Sequence, residues 1–161
     1  MSGSAALVIG IGNPLRGDDG VGWWLARRAR RLRPAPSPVV RLVQQPTPEL
    51  AAELAANRRV LFVDAWLAPE PAAAAGPCLR RLAAADAHPA QPGATVLSHG
   101  LAPPQLLALA GLLWPQAAAP LAWELLVPAA RFDHGTGLSP ELRRWLPRAE
   151  ALLWQWWDDR S

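Results

Sequence analysis

Three short apolar runs in the first part of the chain have the length and composition of buried strands. They are residues 5–9 (AALVI), 39–43 (VVRLV) and 60–63 (VLFV), and the last is closed by Asp64. Apolar residues recur at helical spacing from Val21 onward until prolines end the pattern, which predicts a helix after the first run. After the second run, Thr47-Pro48-Glu49 predicts a helix that Thr47 caps. The predicted order is βαβαβ.

The rest of the chain continues this pattern less regularly. Residues 77–82 predict an edge strand, residues 95–97 the end of another short strand, and residues 121–127 the last strand. Pro103 opens a leucine-rich helix, and Ser139-Pro140-Glu141 repeats the signal for a capped helix start. An apolar stripe then predicts one final helix that includes Leu142 and Trp156.

Strands that alternate with helices predict an α/β fold. We expect one domain over residues 1–161, with a twisted, mainly parallel sheet of about five strands flanked by helices on both faces. The chain has 161 residues, of which 51% are hydrophobic and 18% charged, so it is long enough for one sizeable core and too apolar for a disordered protein.

Composition and charge exclude several classes of protein. The one cysteine, Cys78, cannot form an internal disulfide, and the first residues do not read as a signal peptide or membrane span, so we expect a cytoplasmic protein without a membrane partner. All 16 basic residues are arginine, but the net charge is only +3, which is a weak signal for a polyanionic partner. The densest basic run, residues 27–33, falls at the end of a predicted helix, where cations suit the helix dipole. We interpret it as a solvated helix end and expect no nucleic-acid partner.

Polar residues follow three of the predicted strands, where ligands bind in parallel α/β sheets. Asp18 and Asp19 follow the first strand, Asp64 ends the third, and His99 follows residues 95–97. Carboxylate and imidazole groups that converge on one crevice could bind a divalent transition metal. Each also has a structural alternative: Asp64 could cap a loop, His99 could bind backbone, and one member of the aspartate pair could be the N-cap of the helix at Val21.

Two other chemistries fit the sequence poorly. Gly10-Ile11-Gly12 follows a strand, but Leu15 occupies the place of the third glycine in a dinucleotide fingerprint, and two acids would repel a pyrophosphate there. A phosphate loop is excluded because the chain has no lysine. Ser98 adjoins His99, but neighbours in an extended segment point to opposite faces and do not form a nucleophile–base pair. Hydrolysis would therefore have to be metal-assisted.

Four segments in order along the chain resemble the nickel–iron hydrogenase maturation endopeptidases. They are GIGNPLRGDDGVG at residues 10–22, VDA at 63–65, SHG at 98–100 and FDHGTGLSP at 132–140. The resemblance implies a sheet of about five strands between helices. It also implies an endopeptidase that removes the C-terminal extension of the hydrogenase large-subunit precursor after nickel insertion.

Position by position, the resemblance places the family's nickel-sensing residues on Asp19, Asp64 and His99. It implies that nickel arrives with the substrate, that cadmium or zinc can substitute for it, and that no organic cofactor is needed. Asp19 and Asp64 are also the candidate catalytic residues, since either carboxylate could activate the attacking water. The implied partner is the large-subunit precursor.

The sequence departs from the family at the end of the second strand. Some members carry an aspartate there, whereas this chain has Gln44, which can only form hydrogen bonds. This difference affects the catalytic assignment more than the metal site. Two alternatives belong to other classes: a non-catalytic, metal-sensing assembly factor or chaperone for the large subunit, and a small nucleotide-binding domain. The intact set of two acids and a histidine argues against the first, and the failed glycine pattern with its acidic loop argues against the second.

Overall fold

A computed structural model describes residues 6–32, 36–87 and 100–159. The five strands are β1 (Ala6–Ile11), β2 (Val39–Val43), β3 (Arg59–Trp66), β4 (Cys78–Leu82) and β5 (Leu121–Pro128). The helices are α1 (Val21–Ala29), α2 (Leu50–Ala56), α3 (Ala72–Ala75), α4 (Pro103–Leu113), α5 (Pro140–Arg143) and α6 (Leu146–Asp158). Within these described ranges, no helix is long and apolar enough to cross a membrane.

The strands form one sheet in the order β2-β1-β3-β5-β4. All neighbours are parallel except β4, which runs antiparallel to β5 at the edge. The carboxyl ends of β1, β2, β3 and β5 therefore lie along one edge of the sheet, called here the carboxyl edge. The predicted mainly parallel five-stranded α/β sheet is confirmed, and so is the edge strand expected at residues 77–82.

Helices cover both faces of the sheet, as the sequence predicts. Successive residues of β1 alternate between two apolar clusters, because side chains of a strand point to opposite faces. Val8 packs with residues of α1 and α6, whereas Leu7 and Ile9 pack with residues of α2 and α4. The core thus has one layer on each face.

Three local predictions need correction. First, β3 does not end before Asp64 but continues to Trp66, because β5 pairs with it along its whole length and places Asp64 opposite Leu126. Second, Thr47 does not cap α2: the helix begins at Leu50, after a turn in which the Thr47 carbonyl accepts from the Leu50 N–H. The end of a short strand that the sequence predicts at residues 95–97 lies outside the described residues.

Third, the final helix is divided into α5 and α6. The Ser139 cap itself is confirmed, because its hydroxyl oxygen accepts a 3.1 Å hydrogen bond from the Leu142 N–H. Pro147 then occupies the first turn of α6, where a proline is tolerated because the first N–H groups of a helix have no intrahelical partner.

A candidate metal site at the carboxyl edge

Two aspartates from separate elements of the chain lie near each other at the carboxyl edge. Asp64 lies near the end of β3, and Asp19 lies in the 3₁₀ turn Gly17–Gly20, between β1 and α1. They are near enough for the charge of Asp19 to raise the pKa of Asp64. The structure thus brings together two of the three residues that the sequence selects as metal ligands.

The environment of Asp64 disfavours its charged form. Burial raises the pKa of its carboxyl well above the usual range, and the charges of Asp19 and Glu124 raise it further. The Ala65 N–H donates a 2.8 Å hydrogen bond to Asp64 Oδ1, which opposes these effects in part. A cation beside Asp64 would remove the repulsion that remains.

The environment of Asp19 also disfavours the charged form of its carboxyl, but less strongly than that of Asp64. Burial raises the pKa of its carboxyl, while a 2.9 Å hydrogen bond from the Asn13 N–H to Oδ2 and the charge of Arg16 lower it. Asp19 is half-buried, so its carboxylate is partly open to solvent. Two partly buried carboxylates with raised pKa values form an electronegative position that suits a divalent cation.

Asp18 has a different role from the one predicted for a member of this pair. It does not cap α1, whose N-cap position is Gly20 and lacks a side-chain cap. Instead its fully buried carboxylate accepts four hydrogen bonds, from the N–H groups of Ala130 (2.8 Å), Arg131 (3.3 Å) and Ser139 (2.6 Å), and from the Ser139 hydroxyl (2.8 Å). Asp18 therefore joins the first loop to residues 130–139.

Backbone contacts reinforce the joint between these two loops. The Gly17 N–H donates to the Gly135 carbonyl at 2.9 Å, and the Gly135 N–H donates to the Leu15 carbonyl at 2.8 Å. The FDHGTGLSP segment that the sequence singles out thus holds the loop that carries Asp19, and its contribution to the site is positional.

Glycines at the start of the chain let α1 approach the sheet closely. A Cβ at Gly22 would overlap the carbonyl oxygen of Ile11 and lie 2.5 Å from that of Val63. Gly12 has φ +133°, and a Cβ there would overlap the carbonyl oxygen of Asp19. This close packing accounts for Gly12 and Gly22 without a bound phosphate, and it holds Asp19 over the end of β3.

His99 lies outside the described residues, as does Ser98. The next residue, Gly100, contacts the loop after β2: a Cβ on it would lie 2.9 Å from the Pro46 carbonyl oxygen, and the Leu101 N–H donates to that oxygen at 3.2 Å. Among residues 6–32, 36–87 and 100–159, no three His, Cys, Asp or Glu side chains form a group that could hold a metal ion. A third protein ligand for Asp19 and Asp64 has to be sought elsewhere, and His99 stays a prediction.

One residue that acts on the site is not among those selected from the sequence. Glu124 of β5 is buried, and its charge contributes to the raised pKa of Asp64. Arg80 of the neighbouring β4 binds it, with Nε and Nη2 at 2.9 and 2.7 Å from Oε2. A glutamate within an otherwise apolar strand was a visible signal, but its partner could be found only from the strand register. Gln44 is exposed in the loop that follows β2.

Comparisons with solved structures give the same fold. The chain resembles a [NiFe] hydrogenase maturation protease from Thermococcus kodakarensis KOD1 (HycI) at 22% identity and a TM-score of 0.65, over 96% of this chain and 93% of that one. It also resembles a hydrogenase 2 maturation peptidase from the Thaumarchaeota archaeon SCGC_AB-539-E09 at 19% identity and a TM-score of 0.62, over 93% of this chain and 95% of that one. A third similar structure is the Escherichia coli hydrogenase maturating endopeptidase HybD, at 17% identity and a TM-score of 0.61, over 92% of this chain and 88% of that one. No protein-family model and no curated protein matches the sequence.

Proposed function

We propose that this chain is an endopeptidase that removes the C-terminal extension of a nickel-loaded [NiFe] hydrogenase large-subunit precursor. The observation that carries the proposal is the meeting of Asp19, from the turn that follows β1, and Asp64, from β3 itself, at the carboxyl edge. Solved structures with the same fold are described as hydrogenase maturation proteases, and the likeness covers nearly the whole chain.

Nickel is the proposed recognition signal, and it enters with the substrate. Asp19 and Asp64 would complete its coordination, with His99 as the third ligand from this chain. Borderline metals such as nickel accept mixed oxygen and nitrogen ligands. Binding of the cation would offset the mutual repulsion of the two carboxylates, which supports the pairing of these residues with a metal.

The proposed reaction is hydrolysis of one peptide bond. Water adds to the scissile carbonyl carbon, a carboxylate takes a proton from that water, and the C–N bond breaks as a proton passes to the departing amine. If one of the two carboxylates acts as this base in place of ligating nickel, Asp64 is the better candidate, because burial and the charges of Asp19 and Glu124 raise its pKa well above the usual range. The substrate's nickel would polarise the carbonyl group or lower the pKa of the water.

One observation favours a second function, a metal-sensing assembly factor that does not cleave. Gln44 stands exposed after β2, in the place where some members of the resembled family carry an aspartate. If that acid is required for cleavage, this chain would bind the nickel-loaded precursor and hold it intact.

A processing assay separates the two functions. Purified protein is mixed with the nickel-loaded or nickel-free large-subunit precursor of the same organism, and the products are weighed by mass spectrometry. We expect loss of a short C-terminal peptide from the nickel-loaded precursor alone. Binding without a mass change would establish the assembly factor instead, and cleavage of both precursor forms would refute nickel recognition.

Matched substitutions assign the residues. Asp19→Asn, Asp64→Asn and His99→Ala should each abolish processing while the protein stays folded by circular dichroism. Asp86→Asn and His134→Ala change the same residue types at exposed positions and should process normally. Normal processing by any of the first three variants removes that residue from the site.

A further inference from the structure

Helix α1 carries a cleft of about 190 Å³ that is lined by Trp24, Arg27, Arg28 and Arg31. We call these four residues the arginine cleft. The sequence alone favours a solvated helix end for this basic run. The structure adds two observations that such an end does not require, namely aromatic stacking and a deficit of acidic partners.

Tryptophan rings hold two of the arginines in place. The Arg28 guanidinium carbon lies 4.0 Å from the centre of the Trp24 ring, and that of Arg27 lies 5.8 Å from the centre of the Trp23 ring. Both pairs are four residues apart on α1, so each ring supports the arginine one turn further on. Stacking on a ring face leaves the N–H edge of a guanidinium available to bind a carboxylate.

Acidic residues do not balance this charge. Glu150 of α6 lies 3.3 Å from Arg28, but within the described part of the chain neither Arg27 nor Arg31 forms an ion pair. Elsewhere on the surface, Arg41 pairs with Glu53 at 2.8 Å. The helix dipole favours cations at the end of α1, yet it does not account for the cleft or for the rings beneath the guanidinium groups.

The arginine cleft is close to the candidate metal site. Helix α1 begins directly after the turn that contains Asp19, and the indole N–H of Trp23 donates to the Val43 carbonyl at the carboxyl edge, at 2.9 Å. With a rise of about 1.5 Å per residue, Arg27 lies roughly 9 Å along α1 from Val21, the first helical residue after the turn that contains Asp19. A protein substrate whose cleavage site reaches Asp19 can therefore also contact the cleft.

We propose that the arginine cleft docks an acidic segment of the protein substrate, with carboxylates bound by Arg27 and Arg31. This inference rests on the proposed function, since it assumes a protein substrate at the carboxyl edge. Arginine presents a fork of N–H donors that matches a carboxylate. A nucleic acid fits less well, because among the described residues Arg27, Arg28 and Arg31 form one short cluster and not an extended track that could follow a phosphate backbone.

The first test compares two double variants with equal charge changes. Arg27→Gln/Arg31→Gln removes two charges from the cleft, and Arg30→Gln/Arg58→Gln removes two exposed charges outside it. With the nickel-loaded precursor, the cleft variant should lose about fivefold in kcat/KM, mainly through KM, and its activity should depend less on salt. Equal kcat/KM values and equal salt dependence for the two variants would overturn the proposal.

A second test needs no cleavage, so it judges the cleft even if wild-type protein fails to process the precursor. Binding of a hexaglutamate peptide, a hexaglutamine peptide and a twelve-residue oligothymidylate is measured by tryptophan fluorescence at one ionic strength. We expect wild-type protein and the control variant to bind hexaglutamate about fivefold more tightly than the cleft variant does, with little binding of hexaglutamine. Tighter binding of the oligothymidylate, or equal hexaglutamate binding by both variants, would refute an acidic protein segment as the ligand.

Discussion

The close contact between α1 and the sheet makes Gly22 the most sensitive backbone position near the site. Alanine is normally favoured over glycine inside a helix by about 1 kcal/mol. At Gly22, however, the added methyl group would overlap the Ile11 carbonyl oxygen and lie 2.5 Å from the Val63 carbonyl oxygen. Both obstacles are backbone atoms of central strands, so neither can rotate away. Gly22→Ala can be accommodated only if α1 moves outward.

The expected cost follows from these contacts. Inserting a methyl group into a packed region costs up to about 3 kcal/mol, so a net loss of about 2 kcal/mol remains after the gain in helix propensity. For a chain of this size, that loss corresponds to a fall in Tm of roughly 4–8 °C. Asp19 lies just ahead of α1, so the displacement should also separate it from Asp64 and lower processing.

Gly111 provides the matched control in another helix. It lies in α4, and a Cβ there would meet nothing within 4 Å. Gly111→Ala should therefore raise the free energy of unfolding by about 0.5–1 kcal/mol. Thermal and urea unfolding of both variants measure the difference. A Gly22→Ala variant as stable as Gly111→Ala would show that α1 does not need this close approach.

Two further predictions concern the buried carboxylates. Asp64→Asn should stabilise the protein at pH 8 in urea unfolding, and this difference should shrink toward pH 4. Burial and the charge of Asp19 raise the folded-state pKa of Asp64, so the folded state binds more protons than the unfolded state. The wild-type protein therefore loses stability as the pH rises through that pKa, whereas the variant has no carboxyl group to titrate there. A pH-independent difference would contradict this. Asp18→Asn should cost about 3 kcal/mol, because its amide would face N–H donors of residues 130–139. Asp18→Asn should also speed amide exchange in that loop. The control Asp133→Asn, at an exposed position, should change neither the stability nor the exchange rate. An Asp18→Asn variant with the stability and exchange rate of the wild type would refute the anchoring role.

Local pattern was enough to predict most of the sheet and its order along the chain. The apolar runs at β1, β2 and β3 and the capped start at Ser139 depend on neighbouring residues, which the sequence displays directly. The end of β3 was misplaced because it depends on β5, some 60 residues away, which extends the pairing past Asp64. Similarly, the turn at Thr47 delays α2 although the capping signal is present.

The residues of the candidate site also differ in whether the sequence alone reveals them. Asp19 and Asp64 could be selected because both follow apolar runs, and parallel strands bring such positions to one edge. Glu124 could not be selected, because its influence on Asp64 depends on the pairing of β3 with β5. The arginine run was visible in the sequence, but whether its members meet acidic partners is a property of the folded surface: among the described residues, Arg28 has one and Arg27 and Arg31 have none.

The two neighbouring aspartates differ in how far hydrogen bonds occupy their carboxylates. Asp18 is fully buried, and its four hydrogen bonds tie the first loop to residues 130–139, so protein donors occupy most of its acceptor capacity. Asp19, held in place by this anchor and by the contact of its carbonyl with Gly12, keeps a partly exposed carboxylate with a raised pKa. Its carboxylate accepts a hydrogen bond from the Asn13 N–H, which orients it and leaves further oxygen lone pairs for a ligand. Under the proposed function, the Asp-Asp pair thus combines an anchoring carboxylate, Asp18, with one that is left for a metal, Asp19.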